Sequence, residues 1–141
     1  IIGSGNIGTD LLIKCLRSDL LECTYFIGRN LSSSGIIKAK SMGVRVSDQS
    51  IQTIIVDPDC CELVFDATSA KDAMHNWSVL KPMKKVVIDM TPAKIGIMCI
   101  PAVNMEEALK HQNINMVTCG GQASVPIAYV IGKALKNIDY I

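Results

Sequence analysis

Short apolar runs rich in Val, Ile and Phe alternate along this chain with stretches whose apolar residues recur every three or four positions. Ile1 and Ile2 predict the end of a strand. Residues 6–17 follow as a helix with Ile7, Leu11, Leu12 and Cys15 on one face. The pattern then predicts a strand over 22–27, a helix over 32–42 stopped by Gly43, and a short strand over 44–46. Ser47 or Asp48 is expected to cap a brief helix ending near Val56, before the break at Asp57-Pro58. Next come a strand over 63–65, a helix over 70–80 and a strand over 85–88. Residues 97–100 form a further short strand, with Pro101 as a break. Residues 104–110 form a helix in which Asn104 and Glu107 have capping-box spacing. A strand over 114–117 and a helix over 124–136 complete the pattern. Strands alternating with helices imply a parallel sheet covered on both faces, a doubly wound α/β fold of Rossmann type.

Both ends look cut. A strand usually needs ~5–6 residues, yet only two precede the first glycine, and residues 138–141 read as a strand just starting. The expected organisation is a dinucleotide-binding domain over 1–137, with 138–141 opening a second domain.

Composition narrows the function. With 141 residues, 49% hydrophobic and 19% charged, the chain has material for one packed core and too little charge for disorder. Fourteen basic and thirteen acidic residues leave no electrostatic footprint for nucleic acid. No apolar stretch approaches the ~18–20 residues of a membrane span. The first residues lack the basic and apolar regions of a signal peptide, so a cytoplasmic location is expected. The six cysteines (15, 23, 60, 61, 99 and 119) form no C-x-x-C, and His75 and His111 do not pair with them at zinc spacing. Buried thiols in a reducing compartment, and no metal site, follow from that placement. Both histidines are expected at the surface.

Gly3-Ser4-Gly5-Asn6-Ile7-Gly8 fits G-x-G-x-x-G between a strand end and an amphipathic helix. Gly3 serves the tight turn, Gly5 the approach of a pyrophosphate, and Gly8 the packing of helix on sheet. The helix start offers N–H groups and partial positive charge to the phosphates. The acidic residue that binds the adenosine ribose is expected about 20 residues on. Gly28 and Arg29 stand there instead, which removes repulsion toward a 2′-phosphate, so NADP stays open beside NAD and strict NAD selectivity does not follow.

Cys119 differs from the other cysteines. In Thr118-Cys119-Gly120-Gly121-Gln122 it stands where a strand ends and a helix is about to begin. The dipole there favours a thiolate nucleophile, and backbone N–H groups face an oxyanion. An inert cysteine is the alternative. Gln122 either positions an acyl oxygen or packs the helix start.

Five motifs occur in order: the glycine turn continued by Thr9-Asp10-Leu11, then Phe65-Asp66-Ala67-Thr68-Ser69-Ala70, Ile88-Asp89-Met90-Thr91-Pro92-Ala93, Pro101-Ala102-Val103-Asn104, and Thr118-Cys119-Gly120-Gly121-Gln122-Ala123. Together they resemble the N-terminal half of the acylating acetaldehyde dehydrogenases, the partners of 4-hydroxy-2-oxovalerate aldolase in meta-cleavage degradation of aromatic compounds. The resemblance implies oxidation of acetaldehyde with NAD and coenzyme A to acetyl-CoA. It assigns Cys119 to the acyl thioester and Ser4, Gly5, Asn6 and Ile7 to the cofactor phosphate loop. Thr68 and Ser69 follow a strand that ends at the cofactor crevice and are assigned to cofactor binding, with helix capping as the alternative. It also implies a second domain carrying a dimer interface, hence a homo-oligomer, and a possible aldolase partner. Two other functions are weighed: a semialdehyde dehydrogenase or acyl-phosphate reductase using phosphate in place of coenzyme A, and a non-catalytic dinucleotide-binding module.

Overall fold

A computed structural model describes residues 1–135 and Ile138. Its helices are α1 (Asn6–Cys15), α2 (Ser34–Ser41), α3 (Gln52–Val56), α4 (Ala70–Leu80), α5 (Pro101–Ala108) and α6 (Cys119–Ala134). Its strands are β1 (Phe26–Ile27), β2 (Val46–Ser47), β3 (Leu63–Asp66), β4 (Val86–Asp89), β5 (Ile97–Met98) and β6 (Asn113–Asn115). Every pairing is parallel, in the orders β1-β2 and β3-β4-β6-β5. Ile2 joins the two sets, bridging Ile27 on one side and Asp66 on the other. Strand order therefore reverses at Ile2. That reversal is the topological switch point at which doubly wound sheets bind ligands, and the expected Rossmann-like α/β architecture is present.

Because successive strand residues point to opposite faces, neighbours on one strand enter different cores. Ile27 joins Ile2, Ile51, Ile54, Val64, Leu80 and Val87 beneath α3 and α4. Phe26 joins Leu12, Ile36, Ala39 and Val44 beneath α1 and α2. Farther along the sheet, Ile114 packs with Cys99 and Ala108 against α5. All three cores draw on strand residues that the sequence pattern marks as apolar.

The differences from the expected elements have local causes. Residues 22–25 do not pair as strand, and β1 is two residues long. The expected strand over 44–46 is shifted to Val46–Ser47. Neither Ser47 nor Asp48 caps α3; Ile51 occupies that position, while Ser47 Oγ accepts the Gln49 N–H at 3.1 Å and contacts Thr53 Oγ1 at 2.7 Å. Pro101 opens α5 in place of breaking the chain there, which suits a residue with no N–H to satisfy. Asn104 forms no capping box. It lies inside α5 with φ −142° at a kink, and its amide bonds the Ile100 N–H and the Met98 carbonyl. The last helix starts at Cys119, five residues before the expected start, because Thr118 caps it. Lys136 and the expected second-domain start at 138–141 lie outside the described residues, Ile138 apart.

α6 is unlike the other helices. None of its sixteen residues is buried, and Ile127 and Val130 are each 64% exposed. No helix among the described residues is long and apolar enough to cross a membrane.

Candidate active site

The glycine turn hangs between two strands. The Ile2 N–H donates to the Phe65 carbonyl at 2.9 Å, and the Gly3 N–H to the Ile27 carbonyl at 2.8 Å. Gly3 has φ +108°, and a Cβ on it would lie 2.5 Å from the Ala67 carbonyl oxygen. A Cβ on Gly8 would lie 1.8 Å from the Gly3 carbonyl oxygen, so α1 packs backbone to backbone on the turn. Gly5 differs: a Cβ there would meet no protein atom within 4 Å. The absent side chain at Gly5 leaves room for a ligand, and no side chain caps the adjoining start of α1. Space beside Gly5 and first-turn N–H groups without intrahelical partners are what a pyrophosphate requires, so these residues fit a dinucleotide.

A crevice of about 370 Å³ opens here, lined by the ends of Ile2, β1 and β3 and the loops that follow them. Ser4 and Gly5 line it, with Ser4 Oγ 3.2 Å from Ser33 Oγ. Asn6 and Ile7 form the first turn of α1. Thr68 and Ser69 line it too, but both carry structural bonds. Ser69 Oγ accepts the Asp72 N–H at 3.1 Å and donates to Asp72 Oδ2 at 2.8 Å, capping α4. Thr68 Oγ1 donates to Asp66 Oδ1 at 2.5 Å. Arg29 lies across the mouth, where its guanidinium reaches Asp72 Oδ2 at 3.4 Å. A Cβ at Gly28 would lie 2.6 Å from Ser4 Oγ, so a side chain there would require the Ser4 hydroxyl to move.

Sequence reasoning missed the row of buried polar groups beneath these loops. Asp66, Asp89 and Asn115 are direct register partners on β3, β4 and β6, each at most 2% exposed. Each accepts the N–H two residues on, at Thr68 (3.0 Å), Thr91 (2.7 Å) and Val117 (3.0 Å). Asn76 on α4 donates to Asp66 Oδ2 at 2.8 Å, and Asn115 to Asp89 Oδ2 at 2.9 Å. Buried carboxylates are tolerated only when paired or hydrogen-bonded in this way. The signal was available: Asp-x-Thr occurs at both strand ends, at 66–68 and 89–91.

Cys119 is the first residue of α6 and is exposed. It begins from the end of β6, two strand spacings from β3, or about 10 Å along the same edge of the sheet. Thr118 Oγ1 accepts the Gly121 N–H at 3.0 Å, and the Thr118 carbonyl accepts that of Gln122. Gln122 Nε2 donates to the Cys99 and Met116 carbonyls at 2.7 and 2.9 Å, so its amide packs the helix start. Of the other cysteines, Cys99 is buried beside this helix start. Cys15, Cys23, Cys60 and Cys61 line a cavity of about 360 Å³ together with Leu63 and Val64 of β3. Burial pushes the Cys23 and Cys99 thiols up, and burial with the neighbouring Cys61 pushes Cys60 up to about 11. His75 and His111 are at the surface, His111 Nε2 lying 3.5 Å from Glu107. Among the described residues no three His, Cys, Asp or Glu side chains gather as a metal site.

The whole chain is 57% identical to an acetaldehyde dehydrogenase of Pectobacterium atrosepticum and 52% identical to one of Spirochaeta aurantia, covering 48% of each. The chain is a homologue of the acetaldehyde dehydrogenases. An acetaldehyde dehydrogenase of Bacillus thuringiensis is 44% identical over 99% of this chain and 46% of its own length. The chain thus spans about half the length of the curated acetaldehyde dehydrogenases it matches, in keeping with an N-terminal half. No family model matches it.

Proposed function

We propose that this chain is the cofactor-binding and nucleophile-bearing half of an acylating acetaldehyde dehydrogenase, converting acetaldehyde, NAD and coenzyme A to acetyl-CoA and NADH. The observation that carries the proposal is the exposed Cys119 at a helix start, on the same sheet edge as the glycine crevice, in a homologue of acetaldehyde dehydrogenases. Ser4, Gly5, Asn6 and Ile7 hold the pyrophosphate, and Thr68 and Ser69 form the far wall of the crevice.

Exposed Cys119 gives its thiol proton to solvent, and its sulfur attacks the aldehyde carbonyl to give a thiohemiacetal. The Gly121 and Gln122 N–H groups are taken by Thr118. Those of Cys119 and Gly120 are therefore the ones left to face the oxyanion. A nicotinamide held in the crevice would supply the acceptor for the hydride that the thiohemiacetal carbon then loses. Loss of hydride from the carbon restores the carbonyl as a thioester on Cys119. The thiolate of coenzyme A then attacks it, the bond to Cys119 breaks, and the acyl group leaves on coenzyme A.

Residues 1–137 form the dinucleotide domain in this proposal, and a second half of the protein covers α6 and completes the aldehyde pocket and a homo-oligomer interface. The exposed apolar face of α6 and the doubled length of the relatives support that arrangement. The deciding experiment is nicotinamide reduction by acetaldehyde with the full-length protein. Turnover that requires coenzyme A and disappears in Cys119→Ala, with nucleotide binding kept, is the expected result. Turnover with phosphate in place of coenzyme A assigns an acyl-phosphate reductase instead. Acyl transfer retained in Cys119→Ala removes the cysteine from the mechanism.

A further inference from the structure

Val117 has φ +61°, in the left-handed region that a β-branched residue rarely adopts. It lies between the end of β6 and Thr118, the residue that caps α6, so its conformation turns the chain towards Cys119. The group that holds it is Asn115, which is fully buried and whose Oδ1 accepts the Val117 N–H at 3.0 Å. The amide of Asn115 has no freedom to flip. Its Nδ2 faces two acceptors, Asp89 Oδ2 at 2.9 Å and the Thr91 carbonyl at 3.0 Å. Exchanging oxygen and nitrogen would turn two hydrogen bonds into repulsions and aim a donor at a donor. Asp89 is fixed in turn by the Thr91 N–H at 2.7 Å.

We infer that Asn115 is a positioning residue for Cys119: anchored through Asp89 of β4 and Thr91 just after it, it holds Val117 in the left-handed conformation and so sets where the thiol stands above the strand ends. Asn115 touches neither substrate nor cofactor in this scheme. The inference rests on the assignment of Cys119 as the nucleophile, and it adds a residue whose role is separable from the chemistry.

The test exploits glycine, which adopts a positive φ without a side-chain penalty. If the amide serves to hold Val117, then Val117→Gly makes the hold largely unnecessary. Asn115→Leu and the milder Asn115→Ser are made in the full-length protein, each with and without Val117→Gly. Three quantities are read on folded protein: kcat, the rate at which iodoacetamide alkylates Cys119, and nucleotide Kd. The expected result is a fall of about tenfold or more in kcat and in the Cys119 alkylation rate for the Asn115 variants, with Kd unchanged. Val117→Gly restores both rates in the double variants, a coupling that a double-mutant cycle measures. Should Asn115→Leu fail to fold, the Ser pair carries the same comparison. Wild-type kcat and alkylation rate in a folded Asn115 variant would overturn the inference, as would losses that Val117→Gly leaves unrepaired. Failure of the nucleophile assignment looks different: acyl transfer persists in Cys119→Ala, whatever the Asn115 variants do to alkylation.

Discussion

The α-carbon of Gly8 rests against the carbonyl oxygen of Gly3, so closely that an added methyl group would come within 1.8 Å of it. Both atoms are backbone, and neither has a rotamer by which to retreat. Gly8→Ala is therefore expected to lower stability by about 1–3 kcal/mol, the usual effect of overpacking, and to weaken nucleotide binding by displacing α1. Gly5→Ala separates the two effects. It meets no protein atom, so thermal stability falls by less than about 1 kcal/mol, through a poorer N-cap, while nucleotide affinity drops about tenfold or more. Melting curves and nucleotide titrations on the pair check both expectations. Equal affinity in Gly5→Ala and wild type would remove the phosphate from this turn.

Ser69 and Thr68 are separable by the same pair of measurements. Ser69→Ala removes the cap from α4 and is expected to cost about 1 kcal/mol of stability. Thr68→Val removes a bond to the buried Asp66 carboxylate and is expected to cost about 1.5–3 kcal/mol. A variant that keeps its stability but loses nucleotide would instead belong to the cofactor contact.

The cysteines are expected to alkylate in a fixed order. At pH 7–8 iodoacetamide labels exposed Cys119 first, whereas burial holds the Cys23, Cys60 and Cys99 thiols in the unreactive protonated form. Because the folded Cys60 thiol is raised to about 11, its labelling climbs only as pH rises towards that value. The same shift has a stability sign. The thiol ionises more readily in the unfolded chain, so its contribution is complete below pH 9 and is lost as pH rises towards about 11. Peptide mapping of partially labelled protein gives the order, and equal early labelling of Cys60 and Cys119 would contradict it.

Arg29 and its partner Asp72 are expected to weigh on the choice between NAD and NADP. Its guanidinium is 3.4 Å from Asp72 Oδ2, and both groups are exposed, so the pair is weak and screened. A ribose 2′-phosphate entering there gains the cation and meets the carboxylate as well. Asp72→Asn is expected to improve NADP relative to NAD, and Arg29→Ala to worsen it. Ratios of kcat/KM for the two nucleotides check the direction.

Much of this arrangement was legible in the chain. The alternation of periods near 2 and 3.6 located α1, α2 and α4 and the strands around Val64, Val87 and Ile114, because those residues enter one core or another. What escaped was everything set across strands. Periodicity along one segment says nothing of register, so the alignment of Asp66, Asp89 and Asn115 was invisible even though Asp-x-Thr stood twice in the sequence. Asn104 failed as a cap for a related reason: its spacing to Glu107 was right, but its amide is taken up by Ile100 and Met98. Gly120 and Gly121 read as loop, whereas the side-chain oxygen of Thr118 draws the Gly121 N–H into a first helical turn. Cys119, expected just ahead of a helix, thereby becomes the first residue of one.

The uncovered face of α6 gives the isolated chain a colloidal character as well as a fold. A helix that offers Ile127, Val130 and Ile131 to water presents apolar surface of the kind that associates. Nothing in the net charge of +1 opposes that association at neutral pH. Prepared as these 141 residues, the protein should behave as a concentration-dependent mixture of species, and its apparent melting temperature should drift with the amount loaded.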